Sequence, residues 1–481
     1  MNNDNVLTSG PITRALFQLA LPIFCANILQ CVSGTVTAIL VGRFLGEAAL
    51  TAVTNAQTIM VLLTGAAFGI TTASTVLVGQ CMGAGNIAGA KRVVGTGVKF
   101  FSALSSVLML LGFAFATPLL RATGTAPEAL PLAVPYVRVM LLALPGMYLF
   151  GFVMSLLVGT GDSRTPLRFI VLSVALGVLF TPALIWGGQV LNGAGVIGAA
   201  LATFTVQALC LVCLLRYLYR RPHPLCLSWQ ELVQFNVEWP IVREFIHKGI
   251  PMGAQVLVMS LSSVLMVALV NRFGVNTTAA FGALMQLWTY ILMPGLATAV
   301  AVSTIAAQNI GAQNWSRVRQ ITLIGISYSF VVTAVIVAVV YAAGSYAYRF
   351  FLPEDSEALS IASHVNRIVT WSLIFMNIPM VLFGVMRAAG AVMVPLLVHT
   401  LSLLIIRYPL AAMLLERWQS DAIWWSFTIS IGIDVVLAIL YYRYGSWHEA
   451  ERLQVGGTSP ALHVPIQGDR LGRSGSDFRG E

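Results

Sequence analysis

Val78-Gly79-Gln80-Cys81-Met82-Gly83-Ala84-Gly85-Asn86 and Ala306-Ala307-Gln308-Asn309-Ile310-Gly311-Ala312-Gln313-Asn314 lie 228 residues apart and share their glutamine, glycine, alanine and asparagine in register. Other pairs follow at an offset of 228 or 229. Leu21-Pro22-Ile23 lies over Ile250-Pro251-Met252, Arg43-Phe44 over Arg272-Phe273, Arg138 over Arg367, and Gly161 and Pro166 over Gly390 and Pro395. One match means little. Several in order, at a nearly constant offset and at equivalent places, mark an internal duplication.

The residues around these blocks are too apolar for water. Of 481 residues, 58% are hydrophobic and 9% charged, with a mean hydropathy of +0.84; soluble domains carry about a quarter charged residues. Such a chain presents its surface to lipid. Apolar runs read against Gly, Pro and charge punctuation predict twelve spans: 15–41, 49–78, 93–117, 132–157, 167–187, 194–217, 248–271, 279–306, 321–346, 361–386, 394–415 and 421–443. The fold class is therefore an all-α membrane protein. Six spans per half is an even number, so both halves enter from the same side as parallel repeats, and a site between them can face each side in turn.

Lys and Arg placement sets the expected orientation. Of 27 basic residues, 19 fall on the side of the even-numbered connections and both termini, including Lys91, Arg164, Arg220, Arg319 and Arg387. The other eight, among them Arg121, Arg138, Arg367 and Arg407, fall opposite. Both termini are expected in the cytoplasm, with the chain in the inner (plasma) membrane. The expected organisation is a cytoplasmic N-terminus (1–14), an N-terminal lobe (15–217), an amphipathic interfacial linker (218–247), a C-terminal lobe (248–443) and a disordered cytoplasmic tail (444–481).

Several function classes drop out. The net charge of +9 sits in short clusters between apolar runs and not on one basic face, so no nucleic-acid partner is expected. The six cysteines read as small buried residues with no disulfide framework, and Cys210-x-x-Cys213 lacks the companions of a metal site. Gly193-Ala194-Gly195-Val196-Ile197-Gly198 fits GxGxxG but opens an apolar helix, which points to close helix packing. No cofactor and no enzymatic arrangement is expected. With no Walker motif in the sequence, any transport across the membrane is expected to be secondary and not ATP-driven.

Asp434 is the acidic residue near the middle of a span, and an ionisable group at such depth is a functional candidate. The plainer alternative is a structural partner for Arg407 or His399. His399 is the second ion-coupling candidate, because an imidazole is the side chain suited to carrying a proton near neutrality. Asn27, Gln30, Asn55, Gln57, Gln255 and Gln286 are embedded polar residues on helices expected to line a cleft; each alone is as easily packing glue between helices. Met252, Met259, Met266, Met285 and Met293 with Trp288 and Tyr290 suggest an adaptable wall in the second lobe, although Met and aromatic residues also simply fill cores. Arg138 and Arg367 read as snorkelling or pairing at lobe rims, and Asp162, Arg164, Lys91 and Arg319 as braces of cytoplasmic turns.

The chain resembles the multidrug and toxic compound extrusion (MATE) transporters over roughly residues 12–445. The resemblance rests on Gln80, Gly83 and Asn86 after the second helix, Gln308, Gly311 and Asn314 after the eighth, and the loop Gly159-Thr160-Gly161-Asp162-Ser163-Arg164-Thr165-Pro166. It implies a V-shaped two-lobe antiporter, monomeric, expelling cationic or amphiphilic organic compounds against inward H+ or Na+. Many members carry an acidic residue midway along helix one, where this chain has Thr37. Others carry acidic residues in helices seven and ten, where this chain has Met259 and Met376. Both coupling ions stay open. The competing readings are a dedicated exporter of one endogenous metabolite or natural product, a lipid-linked oligosaccharide flippase and, last, a membrane-embedded enzyme.

Overall fold

A backbone in hydrocarbon must satisfy its own hydrogen bonds, and the apolar runs do so as helices. The computed structural model describes residues 6–122, 124–125, 127–192, 195–220, 224–228, 230–231, 236–344, 346–349, 352 and 356–448. Among these there are twelve helices long and apolar enough to span a membrane. They are α1 (Ile12–Gly46), α2 (Ala52–Gly83), α3 (Ile87–Ala122), α4 (Leu130–Gly159), α5 (Arg164–Gly188), α6 (Gly195–Arg220), α7 (Trp239–Phe273), α8 (Val275–Gly311), α9 (Trp315–Ala343), α10 (Glu357–Ala388), α11 (Met393–Trp418) and α12 (Asp421–Tyr444).

The duplication is written into the backbone. Helices α1 and α7 end at Gly46 (φ 82°) and Gly274 (φ 92°), 228 residues apart. Gly85 (φ 69°) and Gln313 (φ 58°) close the helices that carry the repeated block, and Gly161 (φ 92°) and Gly390 (φ 85°) form the next turn. A left-handed residue at each place lets the chain reverse immediately, and glycine adopts it without steric cost. Gln313 is the exception in the second copy.

The stretch read as a linker divides differently. Helix α6 runs on to Arg220 and α7 starts at Trp239. Pro240 suits a first helical turn, and Ile241, Val242 and Phe245 share a buried face, so this amphipathic segment joins a helix and does not lie apart from it. Between them, Glu231 pairs with Lys91 (3.5 Å) and Glu238 with Arg92 (3.7 Å), which ties the connection to α3. Residues 221–223, 229 and 232–235 of the expected linker, residues 1–5 and the tail from 449 onward lie outside the described residues.

Packing separates the two ends of the bundle. At one end Val41, Ile59, Leu120, Tyr136 and Ile185 form a core entirely within the first half. Met266, Phe281, Trp288, Val369 and Trp424 form one entirely within the second. At the other end the cores are shared: Leu16, Leu19 and Val76 pack with Ile305, Val381, Met386 and Trp447. Conversely, Ile241 and Phe245 of α7 pack with Ile70, Phe101 and Phe152 of the first half. The result is a V of two six-helix lobes, closed at the shared end and parted at the other.

Candidate functional site

At the closed end the repeated blocks meet each other. Gln80 Nε2 donates to the carbonyl of Ala388, the residue that ends α10 (2.9 Å), and Gln308 Nε2 donates to the carbonyl of Gly159, which ends α4 (2.9 Å). Gly159 and Ala388 are themselves 229 residues apart, so the two bonds form a reciprocal clasp related by the duplication. Unpaired C-terminal carbonyls are strong acceptors. The glycines bring the glutamines close enough. A Cβ added at Gly83 would stand 1.8 Å from the Gln308 carbonyl oxygen, and one at Gly311 would stand 2.0 Å from that of Gln80. Nearby, Gly69 leaves room for the backbone of Gly249 and Gly253 on α7.

The rest of each motif shapes the turns. Asn86 Oδ1 accepts from Gly89 N (2.7 Å) and Asn314 Oδ1 from Arg317 N (3.3 Å), capping α3 and α9. Asp162 caps α5, accepting from Arg164 N, Thr165 N (both 3.0 Å) and the Thr165 hydroxyl (2.5 Å). Asn309 Nδ2 reaches the carbonyl of Leu7 (3.0 Å) and Arg317 that of Gly10, so the N-terminal segment is held on the opposite lobe.

The second lobe buries an ionisable cluster. Asp434 on α12 is 4% exposed and His399 on α11 8%. His399 Nδ1 and Asp434 Oδ1 stand 3.3 Å apart, and neither atom has a hydrogen-bond partner. Arg407, also buried, donates from Nε to Ser430 Oγ (2.7 Å) and lies over the Phe427 ring (4.5 Å). Ser430 and Asp434 are one turn apart on α12 and share a face. On a regular helix His399 and Arg407, eight residues apart, would diverge by about 80°. Residues Thr400–Ile406 form a π-helix, whose wider turns rotate less per residue and bring the two side chains toward one face. Such π segments collect at functional sites. The Ser262 hydroxyl of α7 donates to the Leu403 carbonyl (3.0 Å) within this segment.

Of the expected cleft residues, Gln30, Gln57 and Met259 are exposed and Asn27, Thr37, Asn55, Gln286 and Tyr290 partly exposed. Gln286 Nε2 donates to Tyr290 Oη (3.4 Å), and Thr37 returns its hydroxyl to the Ser33 carbonyl (3.0 Å). Three fall in packed surroundings. Trp288 is 4% exposed in the second lobe's core with its indole N–H on Thr370 (3.0 Å), so it braces the lobe and does not wall a cleft. Met376 packs against that same core. Gln255 is 5% exposed and accepts from Arg387 (3.5 Å), linking α7 to α10. At the rim Arg138 lies over the Phe113 ring at 5.0 Å, and Gly198 abuts the Leu184 carbonyl, the close helix packing expected of its motif. Arg407, counted among the basic residues of the outer side and also named as a structural partner of Asp434, is buried on the same face of the cluster, where the π segment turns it. The acceptors are backbone carbonyls; Gly159 stood out only as part of its loop motif, and Ala388 not at all.

The MatE family model matches residues 22–183 and 251–413, one copy in each lobe. Among curated relatives, "Probable multidrug resistance protein YoeA" of Bacillus subtilis (strain 168) is 29% identical over 435 residues, covering 90% of this chain and 94% of that protein. "Probable multidrug resistance protein YpnP" of the same organism is 28% identical over 444 residues, covering 92% and 97%. A solved structure described as the outward-facing conformation of a multidrug resistance MATE family transporter of the MOP superfamily superposes with a TM-score of 0.85 at 19% identity, covering 95% of this chain and 99% of that one. This last likeness speaks to the fold alone. With the family model matching both halves and more than half of the chain, the chain belongs to the MatE family of multi-pass membrane transporters.

Proposed function

We propose that this protein is a secondary-active exporter of small organic compounds, coupled to inward proton flow and working by alternating access between its lobes. The closed end, rich in basic residues, lies on the cytoplasmic side of the inner membrane, and the parted end faces outward. Relatives named as multidrug resistance proteins support a broad range of cationic or amphiphilic substrates. The partly exposed amides Asn27, Asn55 and Gln286 supply polar contacts in the cleft.

The observation that carries the coupling is the buried His399–Asp434 contact at 3.3 Å. A proton placed between these atoms turns an unsatisfied approach into an N–H···O bond. In the low-dielectric interior that bond draws α11 and α12 together. Arg407 offsets the carboxylate's charge when the proton leaves. The imidazole favours H+ over Na+, because Na+ prefers an all-oxygen shell and His399 is the nearest partner of Asp434. From α11 the Ser262–Leu403 bond leads to α7, whose Gly249 and Gly253 cross α2 beside the clasp. Import of protons thus biases the clasp to open, and substrate entry from the cytoplasm resets it.

Efflux of a fluorescent organic cation from cells expressing the protein tests this reading, with proton and sodium gradients collapsed separately. The expected result is efflux that stops with the proton gradient alone and falls at least about tenfold in Asp434→Asn, the scale of one lost charged interaction. Undiminished efflux with the proton gradient collapsed would sink the proposal.

A further inference from the structure

A cavity of about 530 Å³ lies in the first lobe near the closed end, between α3, α4 and α6. Val94, Val98, Val153, Leu157, Leu211 and Leu215 supply much of its wall, and Leu225–Leu227 cover its end. The polar groups in that cover are turned to the backbone: Tyr219 Oη donates to the Leu227 carbonyl (2.8 Å) and Cys226 Sγ to that of Leu218 (3.2 Å). The wall therefore offers a ligand hydrocarbon contacts and little else. Val107, Val212 and Leu215 on the adjoining surfaces of α3 and α6 are exposed, which in a spanning helix means lipid.

The second lobe treats the equivalent place differently. Leu218 corresponds, at the offset of 229, to Trp447, whose indole is 1% exposed, stacked on Tyr442 (4.9 Å) and bonded to the Tyr442 carbonyl (2.8 Å). There the chain fills its own groove. In the first lobe none of the described residues does, and the groove opens beside the exposed cations Arg216 and Arg220 on the last turns of α6. At about 30 Å³ per water-sized group, the volume takes on the order of eighteen such groups, one long acyl chain.

We propose that this cavity binds one acyl chain of an anionic phospholipid from the leaflet at the closed end, with its headgroup at Arg216 and Arg220. A tail seated there packs α3 and α6 onto α4 in the part Trp447 plays in the other lobe. The experiment is native mass spectrometry of the full-length protein extracted from vesicles of phosphatidylglycerol or of phosphatidylcholine. One phosphatidylglycerol is expected to stay bound per protein. Each methylene kept out weakens binding roughly fourfold, so Leu215→Trp, displacing two or more, should lower retention about fifteenfold or further. Arg216→Gln with Arg220→Gln, both at exposed positions, should bring phosphatidylglycerol down to the retention of phosphatidylcholine. Equal retention in Leu215→Trp, equal retention of both lipids by the unaltered protein, or displacement of the lipid by a transported organic cation would each overturn the proposal. The last would make the cavity a substrate site.

Discussion

The two lobes share a frame and differ in what they bury. At the offset of 229, His399, Arg407, Ser430 and Asp434 correspond to Ile170, Val178, Leu201 and Thr205, so three ionisable side chains in the second lobe stand over Ile170, Val178 and Thr205 in the first. The groove plugged by Trp447 in one lobe is a cavity in the other. What the duplication preserved is the contact between the copies: Gln80 with Ala388 and Gln308 with Gly159, both at 2.9 Å. The lesson is an uneven duplication. The contact between the copies is symmetric, and the His399–Asp434 pair with Arg407 lies in one lobe. Buried charge is expensive in a membrane, and one lobe suffices to bear it.

Breaking the symmetric part should have the largest effect. Gly83→Val places carbon against the Gln308 carbonyl where even a Cβ would stand 1.8 Å away, and Gly311→Val does the same against Gln80 at 2.0 Å. Both should abolish efflux and, by spin-label distances between α2 and α8, leave the closed end parted. If only one of the two does so, the clasp is not reciprocal. Next comes Trp447→Ala, which should cost about 3–5 kcal/mol of stability as a buried aromatic truncation, seen as a lowered melting temperature in detergent. Tyr219→Ala, at the matching end of α6, should cost far less, because that hydroxyl staples a cover and fills no core.

Asp434→Asn, described above, should remove proton dependence while Thr205→Val in the first lobe leaves it intact. Gln80→Leu and Gln308→Leu remove one clasp hydrogen bond each, about 1 kcal/mol, so each should shift the open-to-closed ratio by roughly fivefold and by a similar amount. A tenfold difference between them would show that the lobes share the clasp unequally. The smallest effect concerns pH at the connection. The Ser228 N–H hydrogen bond, aided by Lys91, holds the Glu231 carboxyl below its ordinary pKa. Its contribution is present above the ordinary carboxylate pKa and is lost as pH falls through the lowered one. The protection of the Ser228 amide, its exchange rate relative to the intrinsic rate at each pH, should therefore fall in acid, and Glu231→Gln should remove that pH dependence.

Much of the architecture was legible because lipid imposes it. All twelve expected spans correspond to helices, most extended by several residues at one or both ends, since apolar counting registers the hydrocarbon segment and not the turns beyond it. The largest difference is α7, which starts at Trp239 and not near residue 248. Its first turns are amphipathic against the other lobe, and hydropathy alone registers them as interface. In the site, Asp434 and His399 stood out by charge, and their approach is a tertiary fact. Trp288 was misplaced on the cleft because a helix carries aromatic residues on any face that meets a core.

By itself, then, the sequence determined that the chain crosses a membrane, that it does so in two like halves, and which residues mark the turns, for these depend on composition and repetition along the chain. The tertiary structure alone decided which carbonyls the two glutamines reach, that a π-helix turns Arg407 toward Ser430, and that one lobe keeps a cavity where the other keeps a tryptophan. Those depend on distances between residues far apart in the chain, and on backbone atoms that are the same in every residue.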